Sequence, residues 1–303
     1  MARRINLRLE APLASPTGSG GADAIYGPGV RSSMSGGRRY RGVSLDLWYT
    51  TISHAPGEQL RWQAARARIA GELLHRSPAA PVGATAAAEA IAAVEADLAG
   101  TGRSSSVVDP LEILRLAGAH LGATIAGDPR AAARRFSAAG LDEVPPKINP
   151  EALRLTRALD EIGVPQIAIS NTGRLGETWA AALSAMGGPR FHAVVTSCEV
   201  GASKPDPLLF DTGARRLGLA PTEVLHVGDR WDLDVEGARR AGMGAVLYGG
   251  LWSEYALDEY ASPVGPFGPG GRDGLPADVT YVDRLEEILE RYAWGPGDGS
   301  PRR

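Results

Sequence analysis

The 303-residue sequence has one cysteine, Cys198, so an internal disulfide is excluded and a reducing compartment suits the chain. It has two lysines, Lys147 and Lys204; the other 30 of its 32 basic side chains are arginines. A chain that writes nearly every surface cation as arginine has little generic reason for a lysine, and ammonium and guanidinium are not interchangeable at a small anion site. No apolar run reaches transmembrane length. The start, "MARRINLRLEAPLASP", is basic but lacks the apolar segment of a secretory signal, so a cytoplasmic location is expected. The net charge of −3 gives no electrostatic footprint for nucleic acid or a membrane surface. A small-molecule partner is expected instead, with the chain a monomer or homodimer.

Apolar residues make up 44% of the chain, enough for a substantial core. Residues 1–38 are rich in Gly, Ser, Ala and Pro without periodicity and read as a flexible leader. "YRGVSLDLWY" reads as a short buried strand. Residues 58–140 then give Ala/Leu-rich segments with helical spacing and no convincing strand, an all-helical insert. From about residue 150, helix and strand alternate with short Gly-marked joints. That pattern predicts a parallel sheet covered by helices on both faces. The expected fold is α/β, a doubly wound, Rossmann-like core over 39–51 and 146–295 with an all-helical cap at 52–145. Within the core, 253–276 is Gly/Pro-rich and reads as an irregular insertion; 296–303 reads as a disordered tail.

In such folds ligands bind at the carboxyl ends of the strands, and there the polar residues gather: Asp46, Ser170 with Asn171, Lys204, and Asp229 with Asp234. Each alone has an ordinary explanation as a turn or a helix cap. Together they are specific. Carboxylates converging on one sheet edge repel unless a cation lies between them, and hard oxygen ligands suit Mg²⁺. A hydroxyl, backbone N–H groups and an ammonium opposite them hold an anion. That set describes phosphoryl transfer through an aspartyl-phosphate.

In these motifs the chain resembles the haloacid dehalogenase-like superfamily. The carriers are Asp46 in "SLDLWYTT", Ser170 in "IAISNTG", Lys204 in "GASKPDP", and Asp229 with Asp234 in "VGDRWDLDVEGARRAGM". The resemblance covers about residues 40–295, and the segment 52–145 lies where many members insert a helical cap. It implies that Asp46 is the nucleophile and that Asp46, the Trp48 carbonyl, Asp229 and Asp234 hold Mg²⁺. It also implies that Ser170, Asn171 and Lys204 hold the phosphoryl oxygens.

The chain departs from the family's phosphatases at Trp48, where they carry the aspartate that protonates the leaving group. An indole N–H does not do that work. Four readings stay open. A Mg²⁺-dependent phosphohydrolase acts on a small phosphorylated metabolite whose leaving group departs unaided, as from an acyl phosphate or anhydride. A 2-haloacid dehalogenase needs no proton donor, although the retained Asp229 and Asp234 argue against it. Another group, His54 being nearest in sequence, supplies the proton unless it is an exposed loop histidine. Or the fold serves a binding, regulatory or biosynthetic role. Trp48, Tyr49, Trp231 and Trp252 are placed near the crevice, as substrate-binding aromatics or as packing between cap and core. Arg61, Arg66 and Arg68 reach substrate anions or lie on a solvated helix face.

Overall fold

The computed structural model describes residues 39–55, 57–77, 80–250 and 274–295. The expected leader, the tail, residues 253–273 of the expected insertion and Trp252 lie outside them. The alternating half of the chain forms one parallel sheet: β1 (Gly42–Leu45), β2 (Gln166–Ser170), β3 (Val194–Thr196), β4 (Val224–Gly228), β5 (Gly244–Tyr248) and β6 (Val279–Val282). Their spatial order is β6-β5-β4-β1-β2-β3, with every pair parallel. The chain builds outward from β1 to one side, then returns to its other side with β4. The order reverses between β1 and β4, which is where such sheets open a crevice at their carboxyl ends.

β1 to β5 are buried at every position, because both faces are covered. On one face Val43, Leu45, Leu225, Val227 and Val246 pack with Leu155 and Leu159 of the helix Pro150–Glu161. On the other, Ile167, Ile169, Val195 and Leu247 pack with Leu209, Phe210 and Ala214 of the helix Pro207–Leu217. Local sequence fixes where helices start. Four begin at an Asx-Pro pair: Asp109-Pro110, Asp128-Pro129, Asn149-Pro150 and Asp206-Pro207. In each the Asp or Asn side chain accepts a backbone N–H of the first turn, and the proline takes a position whose N–H has no helical partner.

The inserted segment holds α1 (Glu58–Leu73), α2 (Ala84–Gly100), α3 (Pro110–Leu121) and α4 (Pro129–Ala138) around their own core of Leu74, Ile113, Leu114, Val94 and Phe136. It is not all-helical. Leu74–Ser77 pairs antiparallel with Ala80–Pro81 and with Thr124–Ile125. Leu74 leaves α1 extended where it pairs with Ile125 and its carbonyl accepts the Val82 N–H, and Pro78 further bars Ser77 from the helical region. At the base of the insert, Ile52–Ser53 and Lys147–Ile148 form a two-stranded antiparallel ribbon. Lys147 is exposed there. The buried Arg174 bridges the two parts, donating to the Ser137 carbonyl and, at 3.0 Å, to the Ala139 carbonyl, both at the end of α4.

Candidate active site

Asp46 follows β1 directly, and its N–H donates to the Val227 carbonyl of β4 at 2.9 Å, the last rung between the two strands. The chain then turns sharply. The Leu47 carbonyl accepts from the Thr51 and Ile52 N–H groups at 2.8 and 2.7 Å, and the Tyr49 N–H donates to the Ile52 carbonyl at 2.6 Å. None of these bonds uses the Trp48 carbonyl. Tyr49 has φ 58°, the one positive φ at a non-glycine among the described residues. A tyrosine held in the left-handed region is strained, and such strain concentrates at functional sites. The Thr51 hydroxyl donates to the Asp46 carbonyl at 2.6 Å, fixing the backbone beneath the acid.

Asp46, Trp48, Tyr49, Ser170, Asn171, Lys204, Asp229 and Asp234, the eight residues expected from the sequence, line one cavity of about 120 Å³, together with Arg230 and Leu233. Lys204 is 4% exposed and lies between two acids, its Nζ 2.5 Å from Asp46 Oδ1 and 2.6 Å from Asp234 Oδ1. An ammonium has three N–H groups, so one is left for an incoming anion. Asp46, Asp229 and Asp234 each present an oxygen within 4.8 Å of the others, an arrangement that suits a divalent cation. The Thr50 hydroxyl donates to Asp229 Oδ1 at 3.2 Å. Ser170 Oγ is fully buried with no hydrogen-bond partner among the described residues.

The charges follow from burial and proximity. Burial pushes the Asp46 carboxyl up to about 7, with Lys204 opposing and Asp234 adding to the rise. Burial likewise lifts Asp229 well above the usual carboxylate range, reinforced by Asp234 and Asp46. Burial would raise Asp234 too, but Lys204 and the His226 hydrogen bond outweigh it and hold Asp234 below that range. Burial would lower Lys204, and Asp234 with Asp46 reverse it, so the ammonium stays charged. The anionic cluster is thus under repulsive load, which a cation among the three acids relieves.

The Asn171 side chain is committed to Lys204: its Oδ1 accepts the Lys204 N–H at 2.7 Å and its Nδ2 donates to the Lys204 carbonyl at 3.2 Å. It therefore holds the lysine's backbone in place, and its own N–H is what it has to offer an anion. Trp231 does not reach the crevice. Residues Trp231–Val235 form one wide π-helical turn, which buries Trp231 and Val235 in the sheet's core while turning Asp234 toward the cavity. His54 is not an exposed loop residue. It is 3% exposed, its Nδ1 donates to the Ala55 carbonyl at 3.1 Å, and its Nε2 lies 3.3 Å from the Tyr49 hydroxyl. It is not among the cavity's lining residues. Arg61 and Arg68 are exposed and turn to Glu143, whereas Arg66 lies over the Phe136 ring at 4.6 Å. None of the three lines the cavity.

Trp48 keeps both of its expected roles in view. It lines the cavity, and its ring packs against Trp179 of the core at 5.3 Å and against Trp62 of α1 and His54, each at 5.5 Å. Sequence reasoning missed Thr50, Thr51, Ser44 and His226, whose partners lie far along the chain or in the tight turn, and Arg230, which bonds Asp232 and Asp234 within the π-helical turn. Gly228, just ahead of Asp229, has a legible reason. A Cβ there would lie 2.2 Å from Asp234 Cγ. Gly228→Ala is expected to displace Asp234 and weaken Mg²⁺ binding about 10- to 100-fold while the protein stays folded, as calorimetry with Mg²⁺ and circular dichroism would report.

The switch-point crevice brings three acids and a buried lysine together at the carboxyl ends of the strands of an α/β fold. The chain belongs to the haloacid dehalogenase-like hydrolase family, whose family model matches residues 73–242. Among curated relatives, it is similar to a glyceraldehyde 3-phosphate phosphatase of Methanothermobacter thermautotrophicus, 34% identical over 100 residues, covering 33% of this chain and 39% of the relative. A glyceraldehyde 3-phosphate phosphatase of Methanopyrus kandleri is 55% identical over 56 residues, 18% of this chain and 24% of the relative. A phosphoserine phosphatase of Thermus thermophilus is 45% identical over 76 residues, 24% and 28% of the two chains. The matched stretches thus span less than half of these relatives' lengths. Among solved structures, a haloacid dehalogenase-like phosphatase from Thermococcus onnurineus aligns over 82% of this chain and 96% of its own, with 19% identity and a TM-score of 0.49. Among the described residues no helix is long and apolar enough to cross a membrane.

Proposed function

We propose that the protein is a Mg²⁺-dependent phosphohydrolase acting on a small phosphorylated metabolite through an aspartyl-phosphate at Asp46. The observation that carries this reading is the buried, unpartnered Ser170 hydroxyl beside Lys204 and the three acids. A buried hydroxyl without a partner costs about 1–3 kcal/mol, which a phosphoryl oxygen would offset. Asp46, Asp229, Asp234 and the Trp48 carbonyl would hold the cation, which when bound supplies charge neutralisation to the phosphoryl group. Asp46 attacks phosphorus, the leaving oxygen departs with the bond's electrons, and water later returns the carboxylate and releases phosphate. Ser170, the Asn171 N–H and the third N–H of Lys204 hold the phosphoryl oxygens meanwhile. The relatives named as glyceraldehyde 3-phosphate and phosphoserine phosphatases support a small phosphorylated metabolite as the substrate, and the small cavity agrees with it.

Trp48 gives the leaving group no proton, and a general acid is worth about 10²–10⁴-fold. Acyl phosphates, whose leaving groups are weak bases, are therefore expected to turn over at least about 10²-fold faster than alkyl phosphates. The test is a panel of acetyl phosphate, pyrophosphate, glyceraldehyde 3-phosphate, phosphoserine and 2-chloropropionate, each with Mg²⁺ and with chelator. Phosphate release that chelator abolishes supports the reading. Halide release that chelator leaves unchanged would replace it with dehalogenation, and no turnover of any member would favour a binding role.

A further inference from the structure

The proposed chemistry leaves the buried imidazole of His226, next to the site, without a task. His226, on β4, is 1% exposed. The strand register pairs it with Ser44 of β1, and its Nδ1 lies 2.8 Å from Ser44 Oγ. Its Nε2 lies 3.2 Å from Asp234 Oδ1, and Phe210 packs edge-on against the ring at 4.9 Å. An ionised carboxylate only accepts, so Nε2 carries the hydrogen. Nδ1 is then the acceptor, and the Ser44 hydroxyl donates to it. The ring is fixed at both ends in a single orientation and tautomer.

What this does to Asp234 follows from counting. A carboxylate has about four lone-pair directions. Two on Oδ1 take Lys204 Nζ at 2.6 Å and His226 Nε2. One on Oδ2 takes the Arg230 N–H at 3.0 Å. A single direction remains, on Oδ2. Removing the histidine would open a second one on Oδ1, beside the lysine, and let the carboxylate rotate between uses.

We infer that Ser44 and His226 form a positioning pair that commits Asp234 Oδ1 to Lys204 and leaves Oδ2 as the one Asp234 oxygen for a divalent cation or its bound water. The inference rests on the reading above in that a cation sits among the three acids. The hydrogen-bonded line Ser44–His226–Asp234–Lys204–Asp46 then joins two adjacent strands to the nucleophile, with every member buried. Groups that orient metal-holding carboxylates in this way typically change metal affinity 10- to 100-fold when removed.

The test uses the full chain and Mg²⁺ alone, titrated by calorimetry into wild type, His226→Leu, His226→Gln and Ser44→Ala. His226→Leu is expected to weaken Mg²⁺ binding about 10- to 100-fold. His226→Gln, whose amide N–H takes the place of Nε2–H, is expected to recover most of the loss. Ser44→Ala is expected to fall between wild type and His226→Leu. Nitrogen NMR of histidine-labelled wild type is expected to show the hydrogen of His226 on Nε2, a readout that does not depend on a variant folding. A purely structural role would lower stability while leaving the Mg²⁺ affinity of the folded protein unchanged. Equal affinity in wild type and His226→Leu overturns the inference alone, as does a proton on Nδ1. Wild type that binds no Mg²⁺ overturns the cation reading and this inference with it.

Discussion

Asp46→Asn is expected to reduce phosphate release by about 10³-fold or more, with the fold intact. An amide is a poor nucleophile toward phosphorus. The amide oxygen still accepts from Lys204, which lies 2.5 Å from the acid it replaces. The substitution also removes a buried charge that is held against desolvation and against the Asp234 carboxylate. The variant should therefore unfold at the same temperature as wild type or above it. Phosphate-release assays and a thermal melt on the same sample separate the two effects. Full activity in the variant would rule out a covalent intermediate on Asp46.

The second large effect concerns Lys204. Among the described residues it is the one lysine or arginine whose side chain contacts both Asp46 and Asp234, each buried. Lys204→Ala leaves the acids facing each other without it. Losing one partner of a buried ion pair costs about 3–5 kcal/mol, because the remaining charge stays buried and uncompensated. Urea unfolding should show that loss, and millimolar Mg²⁺ should recover part of it by binding the folded state. Lys204→Arg is not expected to rescue activity. A planar guanidinium does not place a single nitrogen between two carboxylates as a compact ammonium does. A Lys204→Ala protein as stable and active as wild type would remove the lysine from the site.

The site's skeleton was legible in the sequence because each of its parts follows a strand. Asp46 comes directly after β1, Ser170 ends β2, and Asp229 comes directly after β4. Once the alternating pattern predicted a parallel sheet, the carboxyl-end rule brought these residues to one edge, and the rarity of lysine singled out Lys204. What stayed hidden depends on facing and register. Trp231 and Asp234 are three residues apart, and only the π-helical turn sends one into the core and the other to the cavity. Ser44 and His226 are 182 positions apart and meet only because β1 and β4 are neighbours in a set register. The strand at Leu74–Ser77 was missed because its Leu-rich start continues the helical spacing of α1, and its pairing with Thr124–Ile125, far along the chain, outweighs that spacing.

Arg174 has a mechanical consequence. It stands four residues beyond Ser170, on the loop that leaves β2, and grips the backbone at the end of α4 through two carbonyls. The same loop's Thr172 N–H is held by the Ser197 hydroxyl, which in turn reaches the Ser106 carbonyl of the insert. A swing of the helical insert about the Ile52–Ser53 ribbon would therefore be geared to the segment that carries Ser170. The insert either drops these links before it moves or drags that segment with it.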